Sequence, residues 1–189
     1  MLAVTGLTTT VVQEYLKLRP EEVVRIEARP SLAHPTPELK VPHVERYILA
    51  AGLLHQADLL NQTEKELVDS LCVNFVNVIR ICELILITAP KARICVIGSE
   101  SGVKWSFDDI YAGSKAAVHR YVETRKVGFT QQLVCVSPPI IRDAGMTIRR
   151  KDYPDVLKKR RTVTARYVAE TISGLFSKEI DLNNTVVRL

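Results

Sequence analysis

Residues 94–118 contain the two segments that decide the fold: an apolar run, ICVIGSESG (residues 94–102), and, after a short linker, YAGSKAAV (residues 111–118). The first segment has the composition of a buried strand that ends in small polar residues. The second is compatible with a helix, on which Tyr111 and Lys115, four residues apart, share one face. Ser99 follows the predicted strand at a point that can face the tyrosine hydroxyl. The sequence therefore predicts a serine, a tyrosine and a lysine in one site, a set that suits proton transfer at a carbonyl or an alcohol.

The rest of the chain alternates predicted strands and helices, which is typical of an α/β fold with a parallel sheet. Strands are predicted over residues 1–5, 23–29, 46–52, 92–98, 132–136 and 185–189. Helices are predicted after residue 10, after a capping box formed by Thr63 and Glu66, from Tyr111, and over residues 163–176. We therefore predict a Rossmann-like, doubly wound parallel sheet in a three-layer α/β/α arrangement.

Length and composition limit the class of protein. The chain of 189 residues is predicted to form one domain over residues 1–189. Its N-terminus lacks the pattern of a secretory signal, and its longest apolar run is interrupted by Arg80 and Glu83, which argues against a membrane span. The four cysteines lie in apolar segments without C-x-x-C spacing, and the four histidines share no ligand spacing. We therefore expect buried, reduced thiols, a cytoplasmic location and no metal site.

Positive charge is concentrated in the C-terminal third of the chain. The formal net charge is +5, and basic runs occur at residues 149–151 and 158–161. Such runs are common on solvated surfaces, but they also suit an anionic substrate, a cofactor phosphate or nucleic acid. Because no aromatic residues are interleaved with the basic ones, nucleic acid is the least favoured of these partners.

The order of the motifs resembles that of the short-chain dehydrogenase/reductase family. Val73-Asn74-Phe75 lies in a long apolar helix and resembles the family's V-N-L, a later strand ends in Gly98-Ser99, and residues 111–117 match Y-x-x-S-K-A-A. A further strand ends in Ser137-Pro138. The resemblance implies an NAD(P)-dependent oxidoreductase that interconverts a carbonyl and an alcohol.

The resemblance also implies catalytic roles for four residues. Tyr111 is the general acid and base, Ser99 binds the substrate oxygen, and Lys115 lowers the pKa of Tyr111 together with an oxidised cofactor. Asn74 orders a water that leads to Lys115. Asn77 is the alternative to Asn74, and Ser101 is the alternative to Ser99.

Cofactor-binding positions follow from the same resemblance, with departures from the family's pattern. Thr5 and Gly6 match the first two residues of T-G-x-x-x-G-x-G, whereas Thr10 and Val12 replace its other two glycines. Side chains at these positions are expected to move the cofactor outward or to reshape the turn. The predicted cofactor contacts are Thr5, Gly6, Thr10, Glu27, Arg29, Ala51, Gly52, Tyr111, Lys115, Pro138 and Ile141.

The choice between NAD and NADP stays open. Glu27 suits ribose hydroxyls, whereas Arg29 suits a 2′-phosphate and favours NADP. Near the other end of the cofactor site, Asp143 stands where the family usually has a threonine, and Thr147 is the candidate replacement.

The sheet is expected to be shortened at one edge. The family places a helix and a strand where residues 31–42 carry three prolines and little periodicity, which predicts a loop. The expected partners are a small carbonyl or alcohol substrate and further copies of the chain in a homodimer or homotetramer. The basic segment, residues 142–162, allows the substrate to be anionic. The alternative function is that of a catalytically degenerate family member acting as a binding, regulatory or assembly protein.

Overall fold

The computed structural model describes residues 1–27, 40–55, 59–150, 152–177 and 182–189. The strands are β1 (Leu2–Thr5), β2 (Val23–Arg25), β3 (Arg46–Leu49), β4 (Arg93–Ile97), β5 (Gln132–Ser137), β6 (Ile140–Ile141), β7 (Thr162–Val163) and β8 (Thr185–Arg188). The α-helices are α1 (Thr10–Leu18), α2 (Glu64–Leu71), α3 (Asn77–Thr88), α4 (Asp109–Thr124), α5 (Gly145–Ile148), α6 (Tyr153–Lys159) and α7 (Ala165–Ser177).

The described strands form a parallel sheet of six, in the order β2-β1-β3-β4-β5-β8, and β6 pairs with β7 in a small parallel ribbon. The chain runs from β1 to β2 on one side and from β3 onward on the other, so the strand order reverses between β1 and β3. In open α/β sheets, ligands bind in the crevice at the carboxyl ends of the strands at such a point.

Apolar side chains cover both faces of the sheet, because successive residues of a strand point to opposite sides. Leu2 and Val4 of β1 belong to a buried cluster with residues of α1 and α7. Ala3 of β1 belongs to a second cluster with residues of α3 and α4. The predicted doubly wound, three-layer α/β/α fold is therefore confirmed.

The sheet edge that contains β2 is shortened, as predicted. Within the described residues β2 is the edge strand, and it covers Val23–Arg25 rather than residues 23–29. Ile26 still donates its amide to the carbonyl of Val4 at 2.7 Å. Arg29 and most of the predicted 31–42 loop lie outside the described residues.

Strand β3 ends at Leu49 instead of the predicted residue 52. The reason is that the amides beyond it bond to side chains. Ala51 N donates to Thr5 Oγ1 at 3.1 Å, and Leu53 N donates to Asn74 Oδ1 at 2.9 Å. The small residues that follow β3 therefore lie in a loop at the end of the sheet.

One continuous helix covers Glu64–Thr88 and consists of α2, a π-helical turn (Cys72–Val76) and α3. Its predicted capping box is confirmed, because Glu66 N donates to Thr63 Oγ1 and Thr63 N donates to Glu66 Oε2. Among the described residues, this is the one helix whose length and apolar composition alone would allow it to cross a membrane. That finding is weak evidence, since core helices meet the same criterion, and this helix supplies Ile81 and Ile85 to the core.

The basic segment leaves the sheet after β5 and returns to it through α7. It is fixed at its two ends, because β6 pairs with β7 and Asp143 Oδ1 accepts a hydrogen bond from Ala165 N at 2.7 Å. Helices α5 and α6 lie between these two anchors. Asp143 thus has a structural role at the start of α7.

All four cysteines are buried, and none forms a disulfide. Burial raises the pKa of the Cys82 and Cys95 thiols well above the ordinary value. The pKa of Cys135 is raised to about 12, mainly by burial, although Lys115 acts in the opposite direction.

Candidate active site

A cavity of about 1050 Å³ lies at the carboxyl ends of β1, β3, β4 and β5, next to the point where the strand order reverses. The basic segment with α5 and α6 forms another of its walls. Eight of the predicted site residues line it: Thr10, Ala51, Gly52, Ser99, Tyr111, Lys115, Pro138 and Ile141. Four others that the structure describes do not: Thr5, Gly6, Glu27 and Asn74. Thr5 and Gly6 form the turn beneath the cavity, whereas Glu27 is exposed just beyond β2.

Tyr111 is positioned by the start of α4. The N-cap of this helix is Asp108, whose Oδ1 accepts a hydrogen bond from Tyr111 N at 2.8 Å. The other carboxylate oxygen accepts a hydrogen bond from His55 N at 3.2 Å. Asp108 is fully buried and so joins the helix to the loop after β3. Sequence reasoning missed it, although an aspartate directly before a helix is a recognisable cap.

Ser99 lies directly beyond Gly98 at the end of β4, as predicted. Its side chain caps a short 3₁₀ turn (Glu100–Gly102) by accepting a hydrogen bond from Ser101 N at 3.2 Å. Ser101, the alternative, also lines the cavity. Of the two serines, Ser99 is the one whose interaction with the Tyr111 hydroxyl lowers the pKa of the tyrosine.

Lys115 lies one helical turn after Tyr111 and is almost completely buried. Its Nζ donates to the Ile97 carbonyl at 2.9 Å and lies 5.6 Å from the centroid of the Tyr111 ring. Burial lowers the pKa of Lys115 to about 8, and the nearby Cys135 thiol acts in the opposite direction. The lysine is therefore a desolvated base that holds its proton less tightly than an exposed lysine does.

The pKa of Tyr111 is raised in the protein alone. Burial is the main cause, the hydrogen bond with Ser99 lowers the pKa, and the Asp108 carboxylate raises it. In the protein alone, desolvation therefore outweighs the contacts that lower this pKa. The predicted lowering combines Lys115 with the positive charge of an oxidised cofactor.

Asn74 lies behind the cavity wall, in the π-helical turn. Its Nδ2 donates to the Leu53 carbonyl at 2.7 Å and to Ser70 Oγ at 3.1 Å, while its Oδ1 accepts from Leu53 N. The fully buried amide is thus satisfied on both sides. It ties the helix to the loop that carries Ala51 and Gly52. Asn77, the alternative, is also buried and begins α3.

The turn from β1 to α1 has features that fit a phosphate. Gly6 has a φ of +66°, and α1 begins at Thr10. Thr9 is the N-cap residue but makes no side-chain capping bond, and its buried Oγ1 has no hydrogen-bond partner among the residues that the structure describes. The first amides of a helix also lack intrahelical partners and attract anions. This donor set fits the pyrophosphate of a dinucleotide.

The two glycine replacements have different structural consequences. Val12 is completely buried in the core and does not line the cavity. Of the two expected effects, a reshaped turn fits Val12 better than a cofactor moved outward, because its side chain packs in the core. Thr10 does line the cavity, together with Thr8 and Thr9.

We expect Gly6→Ala to destabilise the fold by about 2 kcal/mol, because the added Cβ meets a left-handed backbone and a close neighbour. That atom would lie 2.9 Å from Ala51 N and 3.0 Å from the Ala50 carbonyl carbon. Chemical denaturation measures the change. Gly113→Ala is the matched control: no heavy atom lies within 4 Å of its added Cβ, and alanine should stabilise α4 slightly. Equal stabilities of the two variants would contradict the prediction.

Comparisons with known proteins show which solved structures share this architecture. No model of a known family matches the sequence, and no curated protein matches it. Solved structures do match over the whole chain. A variant of actinorhodin polyketide ketoreductase with NADPH is 16% identical, with a TM-score of 0.76 and 95% of its own chain covered.

Two further structures match to a similar degree. A short-chain dehydrogenase family protein from Francisella tularensis is 14% identical, with a TM-score of 0.77 and 96% of its chain covered. A 4-hydroxyisoleucine dehydrogenase complexed with NADH is 13% identical, with a TM-score of 0.76 and 96% of its chain covered. The chain has the short-chain dehydrogenase/reductase fold. This confirms the fold that the motifs around Ser99 and Tyr111 predicted.

Proposed function

We propose that the protein is a divergent short-chain dehydrogenase/reductase, an NAD(P)-dependent oxidoreductase that interconverts a carbonyl and an alcohol. The observation that carries this proposal is the arrangement of Ser99, Tyr111 and Lys115 in one cavity at the reversal point of the sheet. Structural neighbours hold NADPH or NADH, which supports a nicotinamide cofactor. A bound nicotinamide would supply hydride transfer.

The chain's own residues manage the proton and the substrate oxygen. The Tyr111 hydroxyl donates its proton to the oxygen when a carbonyl is reduced and accepts it in the reverse direction. Ser99 orients that oxygen by hydrogen bonding, which is worth a few kcal/mol when the bond is aimed at developing charge. Lys115 supplies positive charge beneath the tyrosine ring and is also assigned to ribose hydroxyls.

Asn74 keeps its predicted role in the relay that leads to Lys115. Helix α4 packs against the π-helical turn that contains Asn74, which supports this role. The contacts with Leu53 add a positioning function, because they fix the loop after β3.

Residues that follow β1 and residues that follow β3, on the two sides of the point where the strand order reverses, would hold the cofactor. Thr10 and the amides of α1 suit the pyrophosphate, while Ala51 and Gly52 form the wall beyond β3. Pro138 and Ile141 line the opposite wall, where Thr147 is also a lining residue. Both NAD and NADP remain candidates.

We expect calorimetric titration with NADH and NADPH to show saturable binding of at least one of them below about 1 mM. Thr9→Val should weaken that binding about tenfold, because it removes the unpartnered buried hydroxyl without changing the side-chain shape. Thr88→Val is the matched control, since Thr88 is exposed at the end of α3 and does not line the cavity.

The absence of binding of either nucleotide at millimolar concentration would contradict the proposal. It would leave the alternative, a catalytically degenerate member that works as a binding, regulatory or assembly protein. Self-association as a homodimer or homotetramer and a cytoplasmic location stay predictions. Exposed apolar side chains on the long helix, such as Leu71 and Ile87, support the first of these.

A further inference from the structure

Positive charge is concentrated on one side of the cavity. Among the described residues, seven basic side chains line it: Lys104, Lys115, Arg149, Arg150, Lys159, Arg160 and Arg161. Three acidic side chains also line it: Glu100, Asp152 and Asp155. All the basic residues except Lys115 belong to the loop after β4 or to the segment that contains α5 and α6. The residues that line the cavity therefore carry more positive than negative charge.

Only part of this charge is neutralised locally. Lys104 pairs with Glu100. Arg150 makes a two-fold contact with Asp152, with distances of 2.9 and 2.8 Å. In the part of the chain that the structure describes, Lys159, Arg160 and Arg161 take part in no ion pair. Asp155, the third acidic residue of the lining, provides one negative charge against the three positive charges of Lys159, Arg160 and Arg161.

Two aromatic rings hold these cations beside the catalytic segment. The Arg160 guanidinium carbon lies 5.4 Å from the centroid of the Trp105 ring, and that of Arg150 lies 4.6 Å from the centroid of Phe107. Both rings belong to the linker between Ser99 and Tyr111. Trp105 is 74% exposed and lines the cavity, so it offers an apolar surface next to a cation.

The arginines contact a different part of the cavity wall from the phosphate site at α1. The contacts of Arg150 and Arg160 are to the linker that delivers the reacting hydroxyls. The unpartnered hydroxyl of Thr9 lies instead at the turn after β1. A group bound by the arginines would therefore belong to the molecule that meets Ser99 and Tyr111.

We propose that the substrate carries an anionic group, a phosphate or a carboxylate, that Arg160 and Arg161 bind while its carbonyl or alcohol meets Tyr111. This inference rests on the proposed function. Arginine suits such groups because its planar donors match two oxygens at once. Lys159 adds charge, and the exposed face of Trp105 packs against the apolar part of the substrate.

The single tryptophan of the chain provides a direct measurement. The probes are phenyl phosphate, benzoate and the neutral benzyl alcohol, each followed by Trp105 fluorescence and by calorimetry. At least one anion should bind saturably and at least tenfold more tightly than benzyl alcohol. Its affinity should fall as salt is raised, because the attraction is screened. The tighter anion identifies the group as phosphate or carboxylate.

Variants then locate the site. The double variant Arg160→Gln/Arg161→Gln should weaken anion binding at least tenfold, measured by calorimetry because the change also touches the fluorophore. Lys158→Gln is the matched control, since Lys158 is exposed in the last turn of α6, shortly before the two arginines, and does not line the cavity. It should change the affinity less than twofold. Circular dichroism confirms that the variants fold.

Four results would overturn the inference. The first three are equal affinity for benzyl alcohol and the anions, no binding of either anion at about 10 mM, and unchanged anion affinity in the double variant. A matching loss of NADH affinity in the double variant would also overturn it, because the arginines would then serve the cofactor. The titration needs neither cofactor nor turnover. Its failure is therefore distinguishable from failure of the proposed oxidoreductase function.

Discussion

Tyr111→Phe is expected to lower turnover by roughly 10²–10⁴-fold, the range that a positioned proton donor contributes. The change removes one hydroxyl and leaves the partly buried ring in place. It also removes the hydrogen bond with Ser99. The rate of cofactor oxidation or reduction with an active substrate measures the effect, and calorimetry shows whether the nucleotide still binds.

The matched control for this variant is Tyr167→Phe. Tyr167 is half exposed on α7, so the loss of its hydroxyl should leave turnover unchanged. The melting temperature of the Tyr111 variant should stay close to that of the parent. If Tyr111→Phe kept more than about half of the parent's turnover while binding cofactor, the assigned proton transfer would be wrong.

Lys115→Met is expected to stabilise the fold by about 2–3 kcal/mol at pH 7 while it lowers turnover. Lys115 is 3% exposed, and burial lowers its pKa from 10.5 to about 8. Below pH 8 the folded protein therefore holds a buried ammonium at a cost that the unfolded chain does not have. Methionine removes that cost and fills a similar volume. Chemical denaturation measures the difference.

The gain from Lys115→Met depends on pH with a defined sign. Between about pH 8 and 10.5 the folded parent releases this proton while its unfolded chain keeps it, so the parent gains stability with rising pH. The advantage of the variant should therefore shrink across that window. Lys91→Met, at an exposed position, is the control and should change stability by less than about 0.5 kcal/mol at any pH. A destabilised Lys115→Met variant, or a gain independent of pH, would contradict this account.

Local pattern was sufficient for the six-stranded sheet and its main helices, whereas β6, β7, α5 and α6 were not predicted. β-branched runs marked the buried strands, and the capping box at Thr63 marked the start of the long helix. The ends of β2 and β3 were wrong, because side chains distant in sequence decide them. Strand β3 ends where the following backbone amides donate to the side chains of Thr5 and Asn74 instead of to a neighbouring strand. Nothing near Leu49 in the sequence shows this.

The part of the site that short sequence motifs specify was predictable. Ser99, Tyr111 and Lys115 line one cavity as predicted, since a strand end and one helical turn fix their relative positions. The burial that raises the Tyr111 pKa could not be read from spacing, because it depends on the whole surrounding wall. The contact between Arg160 and Trp105 was also hidden, since two remote segments form it.

Because all four thiols are buried, their alkylation by a thiol reagent would report unfolding of the chain. Thiolates are the reactive form of cysteine, and Cys82, Cys95 and Cys135 hold their protons far above neutral pH. These sulfurs are therefore chemically silent in the folded chain. Cys95 and Cys135 lie in the adjacent central strands β4 and β5 and belong to buried clusters on opposite faces of the sheet. Their alkylation therefore requires separation of the sheet from its helices.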